Sequence, residues 1–371
     1  MGERIREKLS IVPDYRHSSY VGHKLSDILI VVMTAVLCGL DQLNGIMVYA
    51  HEKSEFFARY FNISKIPSKP TMSRVLNMIK AEAVAKVIIE IMKDEAKYLG
   101  EIIAFDGKAI RSTSEKGRPH SALQILTAYM VESGVVLAQE AIHEKTNEIP
   151  VMRDILDSIE VAGKIITADA LHCQRETCAK IVDSEHKGDY VMGLKENQKL
   201  LHDDVALFFN EEINNDSIET HQEAELNGGR IECRTCRKTN VVDFLSDHEW
   251  PGLKSVFEVR RIITSKNGSA TSDETSYYIS SLDTTAAEFL HISRAHWMIE
   301  SMHWMLDADF SEDECELLSE NGQKSLNIFR KLALFIHKSY MAAQPKKRSI
   351  KSNLLRCLVS ETALLELFRN L

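Results

Sequence analysis

Apolar residues recur at helical spacing through the first hundred positions, and the pattern predicts helices over 26–40, 43–51, 54–61 and 71–79, the last behind the breakers Pro67 and Pro70 with a capping Ser or Thr. From Glu101 the period changes. Ile102-Ile103-Ala104-Phe105-Asp106 is a short apolar run ending in an acid, and strand-like runs follow over 123–130 and 135–142 around the Glu132-Ser133-Gly134 turn. Helical periodicity over 147–159 leads to a second apolar run ending in an acid, Lys164 through Asp169. A helix over 174–185, a buried strand over 190–195 and a helix near 197–209 come next. The order β-β-β-α-β-α-β predicts an α/β fold of the ribonuclease-H-like kind, an antiparallel unit extended by parallel strands with crossover helices. Residues 213–284 then alternate in short strands with turns at Gly228-Gly229, Pro251-Gly252 and Asn267-Gly268, and helix resumes from Thr285 to the end. The expected division is a helical N-terminal domain (1–98), a catalytic core in two parts (99–212 and 285–371) and a β-rich insertion (213–284).

Near the start of the last quarter lies His296-Trp297-Met298-Ile299-Glu300-Ser301-Met302-His303-Trp304-Met305-Leu306-Asp307. Wound as a helix it places Ala295, Ile299, Met302, Leu306 and Phe310 on one side, while His296, Glu300, His303 and Asp307 fall within an arc of roughly 60°. Such a helix turns a carboxylate between two imidazoles toward another surface. An Asp after an apolar strand commonly caps the next turn. In sheets of this type, however, adjacent strand ends bring distant residues together, so Asp106 and Asp169 are candidates for one site. If the Glu300 helix crosses that edge, three carboxylates converge, and hard oxygen donors suit two magnesium or manganese ions for phosphodiester displacement. Competing readings are a di-iron bundle from Glu300/His303, a spacing repeated cheaply at Glu140/His143 and Glu288/His291, and zinc held by His296, Glu300 and His303 without an evident fourth ligand.

Composition narrows these choices. The 371 residues exceed one ordinary core, and 44% hydrophobic with 27% charged residues is a globular balance. The longest apolar run, Ile28 to Leu40, is interrupted by Thr34 and Gly39 and is shorter than the ~20 residues that span a bilayer. The charged N-terminus carries no export signal, so the cytoplasm is the expected location. Of seven cysteines only Cys233 and Cys236 have zinc-like spacing, and on a strand they would face opposite ways. A net charge of −9 argues mildly against a polyanion partner, yet basic residues gather at Lys65 to Arg74, at Lys108-Arg111-Lys116-Arg118, at Arg230 to Lys238, at Arg260-Arg261 and at Lys346-Lys347-Arg348. The segment Ile66 to Arg74 reads either as a DNA-reading turn and helix or as a basic loop in an ordinary bundle.

The runs Phe105-Asp106-Gly107-Lys108, Asn147-Glu148-Ile149, Thr167-Ala168-Asp169-Ala170, Leu194-Lys195-Glu196-Asn197-Gln198, Gly229-Arg230-Ile231-Glu232, Tyr278-Ile279-Ser280-Ser281 and Arg294 through Glu300 occur in this order. With the helical front region, they resemble the DDE transposases of the bacterial insertion-sequence group that includes the H-repeat-associated proteins. The resemblance implies that Asp106, Asp169 and Glu300 are the catalytic, metal-binding triad, with Asp106 bridging the two ions. It implies a double-stranded DNA substrate, element ends and target alike, and a homodimer on paired ends. Phosphate contacts are expected from Lys108, Arg111, Lys195 and Arg294, with Asn197 and Gln198 as further candidates and His296 or Trp297 near the scissile end, the alternative for Trp297 being a place in the core. Relatives that carry Tyr, Arg and Lys around the Glu differ from this chain, which has Ser293, His296 and Asp307 there. Two rivals share much of this: a domesticated or inactive transposase-derived DNA-binding protein, and an RNA-cleaving ribonuclease-H-like enzyme.

Overall fold

A computed structural model of the chain describes residues 2–17, 21–96, 98–111, 122–142, 147–265, 270–315, 317, 319–345 and 348–368. Lys116, Arg118, His143, the Asn267-Gly268 turn, Lys346 and Lys347 lie outside the described residues. The N-terminal region is a bundle of α1 (Gly2–Ser10), α2 (Leu25–Val36), α3 (Leu43–Glu52), α4 (Ser54–Phe61), α5 (Lys69–Met78) and α6 (Ala81–Glu95). In α2 every residue but the partly exposed Asp27 is buried, which makes it the bundle's centre. It stops short of the expected position 40 because Gly39 adopts φ +77°, a left-handed conformation that ends a helix and that a side chain resists.

Nine strands form one mixed sheet: β1 (Ile102–Ile110), β2 (Leu123–Met130), β3 (Val135–Ile142), β4 (Ile165–Ala168), β5 (Asp189–Leu194), β6 (Glu219–Asn227), β7 (Arg230–Thr239), β8 (Ser255–Ser265) and β9 (Ala270–Ser280). Their spatial order is β3-β2-β1-β4-β5-β9-β8-β7-β6. β1 pairs antiparallel with β2 and parallel with β4, which pairs parallel with β5. The crossovers are α7 (Glu148–Ser158) and α8 (Arg175–Val182), and α9 (Lys199–Asn210) follows β5. This is the ribonuclease-H-like order expected from the hydrophobic pattern. The β-rich stretch does not stand apart: β9 pairs antiparallel with β5, so β6 to β9 continue the same sheet.

Helix α10 (Ala286–Phe310) crosses this sheet. Ala295, Ile299, Met302, Leu306 and Phe310 are all buried along it, each contributing about 1–3 kcal/mol by leaving water. Its first turns pack on the added strands, with Phe289 stacked on Phe257 at 4.4 Å between ring centroids. Helix α11 (Glu320–Ala342) then runs between the sheet and the N-terminal bundle, and α12 (Ile350–Val359) and α13 (Glu361–Phe368) close the chain. No helix among the described residues is long and apolar enough to cross a membrane.

Candidate active site

The parallel ladder between β1 and β4 ends at the pair Phe105 and Ala168. The next residue on each strand is an aspartate, so Asp106 and Asp169 emerge side by side where the ladder stops. Asp169 opens a short 3-10 turn, Ala170–His172, and its Oδ1 accepts from the Leu171 backbone N–H at 3.0 Å. Helix α10 is tied across both strand ends. His296 Nδ1 lies 3.1 Å from Thr167 Oγ1 on β4, and His303 Nδ1 lies 3.1 Å from Asp106 Oδ2 on β1. Glu300, one turn from each imidazole, is thereby carried over the two aspartates.

The electrostatics report the same convergence. Burial pushes the Glu300 carboxyl above the usual carboxylate range, the charge of Asp106 adds to this, His303 and Lys195 oppose it, and Asp169 raises it further. Burial holds His296 below the usual imidazole value against the pull of Asp106 and Asp169. Among the described residues no three His, Cys, Asp or Glu side chains already stand at metal-holding distances. Asp106 is engaged by His303 and Asp169 by its own turn. Three carboxylates brought to one end of the sheet are a hard, anionic donor set, and this chemistry fits a divalent cation of the magnesium type.

The residues expected at DNA divide into two groups. Lys195 follows β5 and is exposed; Arg111 is 86% exposed at its side chain, its backbone N–H donating to Asp313 Oδ1 at 3.0 Å and its Nε in a long ion pair with Asp313 Oδ2 at 3.6 Å. Trp297 is 42% exposed and lies beneath the Arg261 guanidinium at 5.0 Å. The others are engaged within the fold. Lys108, only 11% exposed, donates to Asp307 Oδ1 at 2.5 Å and Glu312 Oε2 at 2.7 Å, binding α10 and the turn after it to β1. Arg294 pairs with Glu223 and Glu225 on β6. Asn197 Nδ2 donates to Ala170 O at 2.6 Å and Gln198 Nε2 to Cys173 O at 3.0 Å, so both amides hold the turn that carries Asp169.

Three participants were not singled out for a role by the sequence. Glu312 and Arg330 are fully buried behind the site, and His172 is 1% exposed beside Glu148. The Asn147-Glu148-Ile149 run was a visible signal for the last pair; Glu312-Asp313 belonged to the runs that carry the family resemblance, but its charge read as one acid in an acidic stretch.

Comparison with known proteins identifies the family. The family described as "Transposase DDE domain" matches residues 97–336, and one described as "DDE_Tnp_1-associated" matches residues 6–92. The chain is 36% identical over 344 residues to "Putative transposase YncI" of Escherichia coli O157:H7, covering 90% of this chain and 86% of that one. It is 32% identical over 342 residues to "H repeat-associated putative transposase YhhI" of Escherichia coli K12, covering 90% of each. It is also 34% identical to "Inactive transposase YbfQ" of the same strain over 79 residues, 21% of this chain and 94% of that one. A ribonuclease-H-like sheet and a family match across most of its length make this chain a member of the DDE transposases, alongside the H-repeat-associated proteins.

Proposed function

We propose that the chain is an active transposase that cuts DNA at the ends of an insertion sequence and joins those ends to a target. The observation that carries this is the paired anchoring of α10, His296 on β4 and His303 on β1, which sets Glu300 over Asp106 and Asp169. Two magnesium or manganese ions, held by Asp106 jointly with Asp169 and Glu300, would activate water and neutralise charge at the phosphate. In the first step a water oxygen forms a bond to phosphorus and the bond to the 3′ oxygen breaks, freeing the element's 3′-hydroxyl. In the second, that hydroxyl attacks a target phosphodiester and a target 3′-hydroxyl leaves. His303 orients Asp106, and His296 ties the helix that carries Glu300 to Thr167 on β4. Exposed Lys195 and Arg111 flank the acids as phosphate contacts, and Trp297 offers a flat apolar face to the strand at the scissile end. Residues 1–98 serve as the DNA-contacting domain, residues 99–212 and 285–371 as the catalytic core, and 213–284 as its insertion. The working unit is a homodimer on paired ends in the bacterial cytoplasm.

A second reading is a transposase-derived DNA-binding protein without chemistry, and the relative named as inactive keeps it in play. The test is cleavage of a labelled duplex that joins an element end to its flank, with magnesium. The expected product carries a 3′-hydroxyl, and Asp106→Ala, Asp169→Ala or Glu300→Ala lowers the rate by about 10²–10³-fold or more. Binding of the end without cleavage by the wild type selects the second reading. Full activity in Asp169→Ala removes the triad, and preferential cutting of an RNA–DNA hybrid makes the protein a ribonuclease.

A further inference from the structure

The Asn147-Glu148-Ile149 run takes no part in the chemistry above, yet it sits directly behind it. Asn147 caps α7, its Oδ1 accepting from the Ile149 N–H at 3.1 Å, and so fixes Glu148 in the first turn. The Glu148 carboxylate rests against Gly107, the residue after Asp106, in the space a Cβ there would occupy. Gly107 does not have a left-handed backbone, so room for this carboxylate, and not conformation, is what calls for glycine. Side chains alternate along a strand, so Glu148 approaches from the face opposite Asp106. Its Oε2 also lies 3.3 Å from Nε2 of His172, the residue that ends the turn opened by Asp169. His172 is 1% exposed, and its ring nitrogens have no well-aligned hydrogen bond among the described residues.

One carboxylate therefore touches the residue beyond the first aspartate and the turn beyond the second. This matters because the β1–β4 ladder ends one residue before both acids. Past that point no backbone pairing holds the two strand ends together, and like charges drive them apart. We propose that Glu148 and His172 are positioning residues that clamp the two strand ends and set the spacing of Asp106 and Asp169. The role rests on the reading of those acids as the cation-holding pair.

The test uses the full-length chain with four variants: Gly107→Ala, Glu148→Ala, Glu148→Gln and the double Gly107→Ala/Glu148→Ala. Amide hydrogen exchange across 106–109 and 169–173 reads the clamp directly, and Mn²⁺ affinity, from the free-ion electron paramagnetic resonance signal, reads the spacing. Gly107→Ala, whose methyl evicts the carboxylate, and Glu148→Ala each speed exchange in the 169–173 turn and weaken Mn²⁺ binding about tenfold, the usual cost of losing a group that orients metal ligands. The double variant is no weaker than Glu148→Ala, since the methyl then has nothing to displace. Glu148→Gln keeps an accepting oxygen and stays within about twofold of wild type. Should Glu148→Ala fail to fold, Gly107→Ala against Glu148→Gln decides alone. Unchanged exchange overturns the clamp. Faster exchange with unchanged Mn²⁺ affinity overturns the positioning role, and so does an additive double variant. A wild type that binds no Mn²⁺ is a different failure, which removes the transposase reading and this role with it.

Discussion

Two clusters of acids flank the crossing of α10 over β1, and they are opposite in character. In the first, Glu312 is fully buried, accepting from Lys108 Nζ and from Asn327 Nδ2, each at 2.7 Å. Arg330 lies behind it and binds Asp41 of the N-terminal bundle at 2.7 Å. Burial works against the Glu312 charge, but Lys108 and Arg330 outweigh it and hold the carboxyl below its usual range. In the second cluster Glu300 faces acids, and burial with the charge of Asp106 moves its carboxyl the other way. Acids provided with cations by the protein are architecture, here riveting β1, the end of α10, α11 and the N-terminal bundle together. Acids brought together without a lysine or arginine bonded to them are, on the reading proposed above, the place for a cation.

The sharpest way to break this contrast is to remove one acid from each cluster. Glu312→Ala leaves Lys108 with Asp307 alone, Arg330 with Asp41 alone and the Asn327 amide without its acceptor, and is expected to destabilise the chain by about 3 kcal/mol in denaturant unfolding. Glu300→Gln relieves repulsion and should leave stability within about 0.5 kcal/mol of wild type, or above it. Comparable losses in both variants would erase the distinction.

A smaller effect comes from Lys331, also in the buried cluster. It donates to Thr127 Oγ1 and Gln139 Oε1, each at 2.8 Å, and burial pushes it down to about 7 from an ordinary 10.5. Between those values the unfolded chain holds one more proton than the folded one, so this group makes stability rise with pH across that window, by at most about 1.4 kcal/mol per pH unit. Lys331→Met is expected to flatten the slope between pH 7 and 10, measured by unfolding at each pH. An unchanged slope would place the charge elsewhere.

The smallest effect separates the cations themselves. Removing a phosphate-contacting lysine or arginine lowers the slope of log affinity against log salt by about one. Arg111→Ala and Lys195→Ala should each do so on an element-end duplex, whereas Lys108→Gln should leave the slope unchanged because its ammonium is already spoken for by Asp307 and Glu312. A reduced slope for Lys108→Gln would restore it to the DNA.

Much of this was legible along the chain. Apolar runs ending in Asp106 and Asp169, and the polar strip of α10, carried the strand order and the candidate acids because each rests on local periodicity. The parts that were not legible depend on long-range partners. Lys108 is two residues from an aspartate and reads as a phosphate contact, until Glu312, 204 residues later, is seen to claim it. Arg294 reads the same way until β6 brings Glu223 and Glu225 beside it. Residues 213–284 read as a β-rich insertion, but alternation describes a strand without naming its neighbour; the pairing of β9 with β5 is what joins them to the sheet. Charge and spacing are sequence properties, but who neutralises whom is settled only by the fold.

The central claim is that Asp106, Asp169 and Glu300 together hold divalent cations at the end of the β1–β4 ladder. Thermal unfolding with increasing Mn²⁺ tests it most directly, since a ligand at 100 times its dissociation constant stabilises the folded chain by about 2.7 kcal/mol. The wild type is predicted to gain melting temperature with Mn²⁺ and Glu300→Ala to gain little or none; identical gains in both would contradict the claim.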